Sequence, residues 1–282
     1  MAAEGLKKTL VLGHRNPDTD SICSAICYAD FKHKLTGEIY EPCRAGNVNP
    51  ETQYVLDYFK LEAPRLVENV KTQVKDIEIR KTKGVSRGIS LKNAWGLMQE
   101  NNVVTIPCVT EEGLLEGVIT IGDITKSYMN LYDSSIISKA CTKYANILDT
   151  LEGSMVVGDS EAYFDRGKVL IAAANPDLME NYIEKYDLVI LGNRYESQLC
   201  AIEMEAGCII VCEGAGVSLT IRKLAQERGC AVITTPYDTY TTARLINQSM
   251  PISYFMTKEN IIDFSEEDYL DDIREIMASK RH

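Results

Sequence analysis

The most constraining feature of the chain is a helix spelled twice around an alternating middle. Leu91, Ala94, Leu97 and Met98 stand at helical spacing behind Ser90. Leu270, Ile273, Ile276 and Met277 repeat them at one constant offset, behind a capping-box start, Ser265-Glu266-Glu267-Asp268. The first copy leads into two apolar strands over 103–109 and 115–120, turned at Glu111-Glu112-Gly113, and Asp123 opens another helix. At the same offset the strand that begins at Val103 falls on His282, the last residue. A helix of this kind needs a sheet to bury its apolar face. The reading is therefore a C-terminally truncated chain that stops inside its second repeat. A unit of about sixty residues is also small for a lone domain, so a partner module is expected.

Between the two copies, over roughly 144–249, strands and helices alternate. Strands are expected over 155–157, 168–173, 187–191, 208–212 and 230–234. Helices are expected over 177–186, 197–205, 218–228 and 241–248. This order predicts an open α/β layer on a largely parallel sheet. Ahead of the first copy the chain reads as a strand over 8–13, a polar loop from His14 to Asp20, and a helix over 21–35. A second helix follows, capped by Asn49 with Pro50 at its first position.

Charge excludes some functions. Among 282 residues, 30 are basic and 41 acidic, for a net charge of −11. Such a chain repels a phosphodiester backbone, and it has no run of five basic residues, so nucleic-acid binding is not expected. No apolar stretch reaches the ~20 residues of a membrane helix. The start, Met1 to Leu6, lacks a basic segment followed by an apolar one, so no secretory leader is read there and the expected location is the cytoplasm. The 9 cysteines form no Cys-x-x-Cys pair. Cys23 with Cys27, and Cys208 with Cys212, are four apart and match no zinc ribbon or finger, so reduced thiols are expected.

The loop after the first strand carries the chemistry. His14, Asp18 and Asp20 fall at the carboxyl edge of a strand, where open α/β sheets bind ligands. One imidazole and two carboxylates suit Mn2+ or Co2+. The start of the following helix favours an anion, so a metal that holds a phosphate fits. The same residues also allow a plainer reading: Asn16-Pro17-Asp18 is turn chemistry, and Asp20 suits a helix cap.

The run from Gly13 to Ala25, Gly-His-Arg-Asn-Pro-Asp-Thr-Asp-Ser-Ile-Cys-Ser-Ala, resembles the first motif of family II inorganic pyrophosphatases in the DHH phosphoesterase superfamily. The run from Arg44 to Thr52 resembles the segment that follows it there. The resemblance implies a pair of Mn2+ or Co2+ ions, with Mg2+ possible alongside the substrate. It makes His14, Asp18 and Asp20 three of the metal ligands and implies hydrolysis of pyrophosphate to two phosphates. The Asp-His-His motif is absent, and the other histidines are His33 and His282. The isolated chain is therefore expected to be inactive.

Gly117 to Asp123 resembles the Gly-x-x-Thr-x-x-Asp pattern of CBS modules, which implies that Thr120 and Asp123 face the ribose and phosphate of an adenine nucleotide. The spacing alone equally allows Asp123 to cap its helix. The stretch from Thr234 to Arg244 resembles a DRTGG domain. Here Tyr237 and Tyr240 could stack on an adenine or simply line a surface, and the Gly214 turn is a weak candidate anion site.

The fold expected from these resemblances is α/β. A DHH-type, Rossmann-like start over 1–70 precedes a first CBS module over 71–132. A linker and DRTGG-like domain over 133–250 follow, then the start of a second CBS module over 251–282. That order is similar to the nucleotide-regulated pyrophosphatase subclass. It implies inhibition by AMP or ADP, activation by ATP or diadenosine polyphosphates, and a homodimer. Two other readings stay open: a non-enzymatic adenine-nucleotide sensor, and another DHH phosphoesterase.

Overall fold

Asp18 decides where the first helix begins. In a computed structural model, which describes residues 8–79, 81–129 and 133–280, strand β1 (Lys8–Leu12) runs through Gly13 into the polar loop. The Asp18 carboxylate then accepts from the Ser21 amide at 2.9 Å and caps α1 (Thr19–Thr36). Gly37 ends α1 in the left-handed conformation, donating to the His33 carbonyl. Strand β2 (Ile39–Arg44) returns parallel to β1, with Lys8 opposite Ile39 and Leu12 opposite Cys43. Helix α2 (Pro50–Phe59), capped by Asn49, leads to the short β3 (Arg65–Leu66) beside β2. Ile22, Ala25, Ala29, Cys43 and Leu56 are buried. The expected opening, Met1 to Leu6, and His282 lie outside the described residues.

This compact unit is drawn from 1–79 and 263–282. Its last element is the C-terminal helix Leu270–Lys280. The link is backbone pairing: Gln73 bridges Tyr269 antiparallel, Val74 N donates to Asp268 O at 3.0 Å, and Leu270 N donates to Thr72 O at 3.0 Å. Lys75 forms an ion pair with Glu267. None of this helix is buried, and Met277 is 42% exposed where its counterpart Met98 is 1% exposed.

The second unit spans 80–262. Ser90 Oγ accepts from Asn93 N and caps α3 (Leu91–Asn101), whose Leu91, Ala94 and Met98 are buried. Asn102, left-handed at φ 50°, delays the strand expected from residue 103, and β4 (Thr105–Val109) starts two residues later. It pairs antiparallel with β5 (Leu115–Thr120), which turns directly into α4 (Ile121–Met129). Two distant residues widen this hairpin: Val85 lies parallel to Cys108, and Thr257 lies antiparallel to Val118.

The chain continues through α5 (Ile136–Lys139), β6 (Thr142–Lys143), α6 (Tyr144–Thr150), β7 (Ser154–Val157) and β8 (Tyr163–Phe164), with β8 pairing β6. Next come β9 (Val169–Ile171), α7 (Pro176–Met179), β10 (Leu188–Leu191) and α8 (Tyr195–Glu203). Strand β11 (Cys208–Val211), α9 (Leu219–Arg228), β12 (Ala231–Thr234) and α10 (Thr239–Leu245) complete the layer. The sheet order is β7-β12-β11-β10-β9, parallel except where β7 meets β12.

Alternate residues of these strands point to opposite faces. Ile190, Cys208, Ile210 and Ile233 share one core with Leu91, Met98, Ile106 and Ile119. Val189, Ile209, Val211 and Val232 pack instead with Ala201, Ile202, Ile221 and Ala225 of α8 and α9. A sheet covered on both faces explains why its strands read as unbroken apolar runs.

One expected helix is much shorter than its pattern. The α-helix within 176–186 is α7 alone. The buried Asp187 carboxylate accepts from both the Lys168 and Glu184 amides, each at 2.9 Å, and Tyr186 is left-handed at φ 71°. Those bonds pull the chain out of helix and into the start of β10. Among the described residues, no helix is long and apolar enough to cross a membrane.

Candidate functional site

The loop between β1 and α1 packs against a glycine that follows β2. A Cβ on Gly46 would meet Arg15 O at 2.5 Å and Pro17 Cδ at 2.7 Å, so the segment after β2 lies directly against the loop. Pro17 is buried there. Thr19 Oγ1 and the fully buried Thr52 Oγ1 share a hydrogen bond of 3.0 Å, which ties the first turns of α1 and α2 together. Sequence reasoning did not single out Gly46 or Thr52; the signal was the glycine and threonine in the 44–52 run.

Of the three expected metal ligands, the structure brings two together. His14 Nε2 lies 3.3 Å from Asp18 Oδ1, and both side chains are exposed. The Ser21 amide, and after it the His14 imidazole, hold the Asp18 carboxyl below the usual carboxylate range. Asp20 stands apart, with Oδ1 accepting from Ser24 Oγ one turn along α1 at 3.3 Å. Among the described residues, no group of three or more His, Cys, Asp or Glu side chains is gathered closely enough to hold a metal ion. The His14–Asp18 pair nevertheless fits a divalent cation in kind, an imidazole nitrogen and a carboxylate oxygen side by side at a strand end. Ser21 Oγ is buried without a hydrogen-bond partner.

Thr120 and Asp123 do come together. Asp123 Oδ2 accepts from Thr120 N at 3.0 Å and from Thr120 Oγ1 at 2.7 Å, while Asp123 N donates to Thr120 Oγ1 at 3.2 Å. This is a reciprocal cap at the start of α4. Gly117, the first residue of the expected motif, has its own reason: a Cβ there would meet Thr257 O at 2.8 Å. Thr257 and Val118 exchange backbone hydrogen bonds of 2.9 Å.

The remaining expected contacts are taken up internally. Tyr237 is hydrogen-bonded to Glu152, which pushes its phenol up. Tyr240 is 70% exposed, with the Arg244 guanidinium 5.9 Å from its ring centre. In the Gly214 turn, the Glu213 and Gly214 amides donate to Tyr237 O and Thr235 O, each at 2.8 Å, so neither is free for an anion. All nine cysteines are free; Cys27 and Cys141 are exposed and Cys23 half-buried.

Comparison with known proteins identifies these parts. The CBS domain matches residues 74–130 and the DRTGG domain residues 146–249. The crystal structure of the CBS and DRTGG domains of the regulatory region of Clostridium perfringens pyrophosphatase, complexed with the activator diadenosine tetraphosphate, matches with a TM-score of 0.71. The two are 36% identical, and the match covers 75% of this chain and 92% of that one. The chain belongs to the inorganic pyrophosphatases that carry CBS and DRTGG domains.

Two curated relatives are also similar to this chain. The cobalt-dependent inorganic pyrophosphatase of Clostridium perfringens is 40% identical over 272 residues, 96% of this chain and 50% of that protein. The manganese-dependent inorganic pyrophosphatase of Bacillus subtilis is 60% identical over 72 residues, 26% of this chain and 23% of that protein. The chain spans half the length of its Clostridium relative.

Proposed function

We propose that this chain supplies the first metal-binding loop and the nucleotide-sensing region of a Mn2+- or Co2+-dependent inorganic pyrophosphatase. The observation that carries the reading is the His14–Asp18 pair, set at the end of β1 in a chain 40% identical to a cobalt-dependent pyrophosphatase. His14, Asp18 and Asp20 would hold the metal. The bound metal pair would supply an activated water and a polarised phosphorus. The residues here contribute placement: the Ser21 amide keeps Asp18 anionic and fixed, and the start of α1 faces the phosphate with its positive end. Mg2+ accompanies pyrophosphate as substrate.

In the same reading, residues 1–70 begin the catalytic domain and 71–132 form the first CBS module. Residues 133–250 are the linker and DRTGG domain, and 251–282 begin the second CBS module. Thr120 and Asp123 take the ribose and phosphate of AMP, ADP, ATP or a diadenosine polyphosphate. The exposed Trp95, Tyr128 and Met129 on α3 and α4 support a homodimer. The nine unpaired thiols fit a reducing, cytoplasmic setting.

The test is phosphate release from pyrophosphate by a protein that carries this chain at the full length of the Clostridium relative. Mn2+- or Co2+-dependent turnover, lost in Asp18→Ala while AMP still binds, is expected. Turnover retained in Asp18→Ala removes that residue from the metal site. A second reading, a sensor without catalysis, draws on Asp20 standing apart from His14 and Asp18. AMP binding with no phosphate release from the full-length protein would select it.

A further inference from the structure

A cavity of about 890 Å³ opens in the 80–262 unit, and neither Thr120 nor Asp123 lines it. Three segments wall it: the loop 86–89 ahead of α3, residues 139–146 around β6, and residues 251–258. The walls are fixed by hydrogen bonds. Ile252 N donates to Ile89 O at 2.9 Å, Ser253 N to Arg87 O at 3.0 Å, and Asn146 Nδ2 to Gly88 O at 2.9 Å. The volume lies within the ~300–1,000 Å³ typical of small-molecule sites.

Its lining is basic in an acidic chain. Arg87, Lys139, Lys143 and Lys258 converge on the cavity, against one lining carboxylate, Glu111. Three of the cations have carboxylate partners that do not line the cavity: Arg87 with Glu116 at 3.4 Å, Lys139 with Asp133 at 2.5 Å and Lys143 with Glu161 at 2.6 Å. These are partly exposed pairs, weak in water and easily exchanged. Lys258 makes no ion pair among the described residues. Tyr254, 46% exposed, adds a flat apolar wall.

We propose that this cleft is an oligophosphate site, separate from Thr120 and Asp123, in which Arg87 and the three lysines take a di- or triphosphate group. A polyanion presents several charged oxygens to these four lining cations, which no one carboxylate partner does. Phosphate oxygens also form charge-assisted hydrogen bonds with both guanidinium and ammonium groups. The inference stands apart from the Thr120–Asp123 reading, whose own test is AMP binding. The phosphate is taken either free or as the tail of a nucleotide, and the test separates the two.

The experiment is calorimetric titration of the full chain with inorganic tripolyphosphate at fixed salt. Saturable one-to-one binding is expected. Lys258→Glu and, independently, the uncharged Arg87→Gln should each weaken it by about tenfold or more, while Asp123→Ala leaves it unchanged. Both positions are exposed, and thermal unfolding checks that each variant is folded. In the Asp123→Ala background, ATP binding more tightly than tripolyphosphate and losing that advantage in Tyr254→Ala assigns the site to a nucleotide tail. ATP binding no more tightly assigns it to free oligophosphate. Absence of saturable tripolyphosphate binding, or binding indifferent to both charge substitutions, overturns the proposal. Loss of binding in Asp123→Ala overturns its separateness.

Discussion

Ser21 Oγ occupies the space in which a side chain on Gly13 would begin: a Cβ there would stand 1.9 Å from it. The glycine between β1 and the metal loop is thus set by a residue eight positions later on α1. Gly13→Ala should lower stability to urea by about 1–3 kcal/mol. In a Ser21→Ala background the same change should cost clearly less, since the nearest remaining Ser21 side-chain atom, Cβ, stands 3.1 Å away. Equal costs in the two backgrounds would mean that strain arises elsewhere. Ser21→Ala alone removes an unpartnered buried hydroxyl and should be close to neutral.

The cap at α4 gives Asp123 a structural role that can be measured beside its proposed nucleotide contact. Asp123→Ala removes the two hydrogen bonds that the Asp123 carboxylate accepts from Thr120 and should cost about 1 kcal/mol, read by denaturant unfolding. It should also weaken AMP binding. An unchanged AMP titration alongside the stability loss would reduce Asp123 to a helix cap.

Acid titration tests the loop ahead of α5. Lys139, and after it Ser135, hold the Asp133 carboxyl down to about 2. A carboxyl depressed in the folded state binds its proton more readily when unfolded. Its contribution is therefore fully present above the ordinary value near ~4 and is lost as pH falls through about 2. A side-chain NMR titration should place the Asp133 midpoint near 2, and Lys139→Met should raise it. An unmoved midpoint in the variant would assign the effect to Ser135.

Thiol reactivity tests the two-faced core. Burial pushes the Cys108 thiol up to about 11 and the Cys230 thiol up to about 12. At neutral pH the exposed Cys27 and Cys141 should react first with a disulfide reagent, with the half-buried Cys23 slower. The six buried cysteines should react only on unfolding. Early modification of Cys208 or Cys230 would contradict the sheet packing.

Much of this was legible in sequence because it is local. Ser90, Asn49 and Ser218 cap the helices that their patterns announced, and the apolar runs of β10, β11 and β12 mark a sheet covered on both faces. What sequence hid depends on distant partners. Asp187 shortens α7 by reaching both Lys168 and Glu184. Gly117 is glycine because Thr257 approaches it. The C-terminal helix joins the first unit through Gln73 and Tyr269. At the loop after β1, the sequence placed Asp20 among loop residues, but α1 already begins at Thr19 with Asp18 as its cap, so Asp20 stands on the helix.

The central claim is that His14 and Asp18 belong to a pyrophosphatase metal site. The most direct measurement is phosphate release from pyrophosphate by the full-length protein, with Mn2+ or Co2+, in the native sequence and in His14→Ala and Asp18→Ala. The account predicts turnover that depends on the metal and is abolished in both variants, with AMP binding unchanged. Metal-dependent turnover that survives either substitution, or none at all in the native full-length protein, would contradict it.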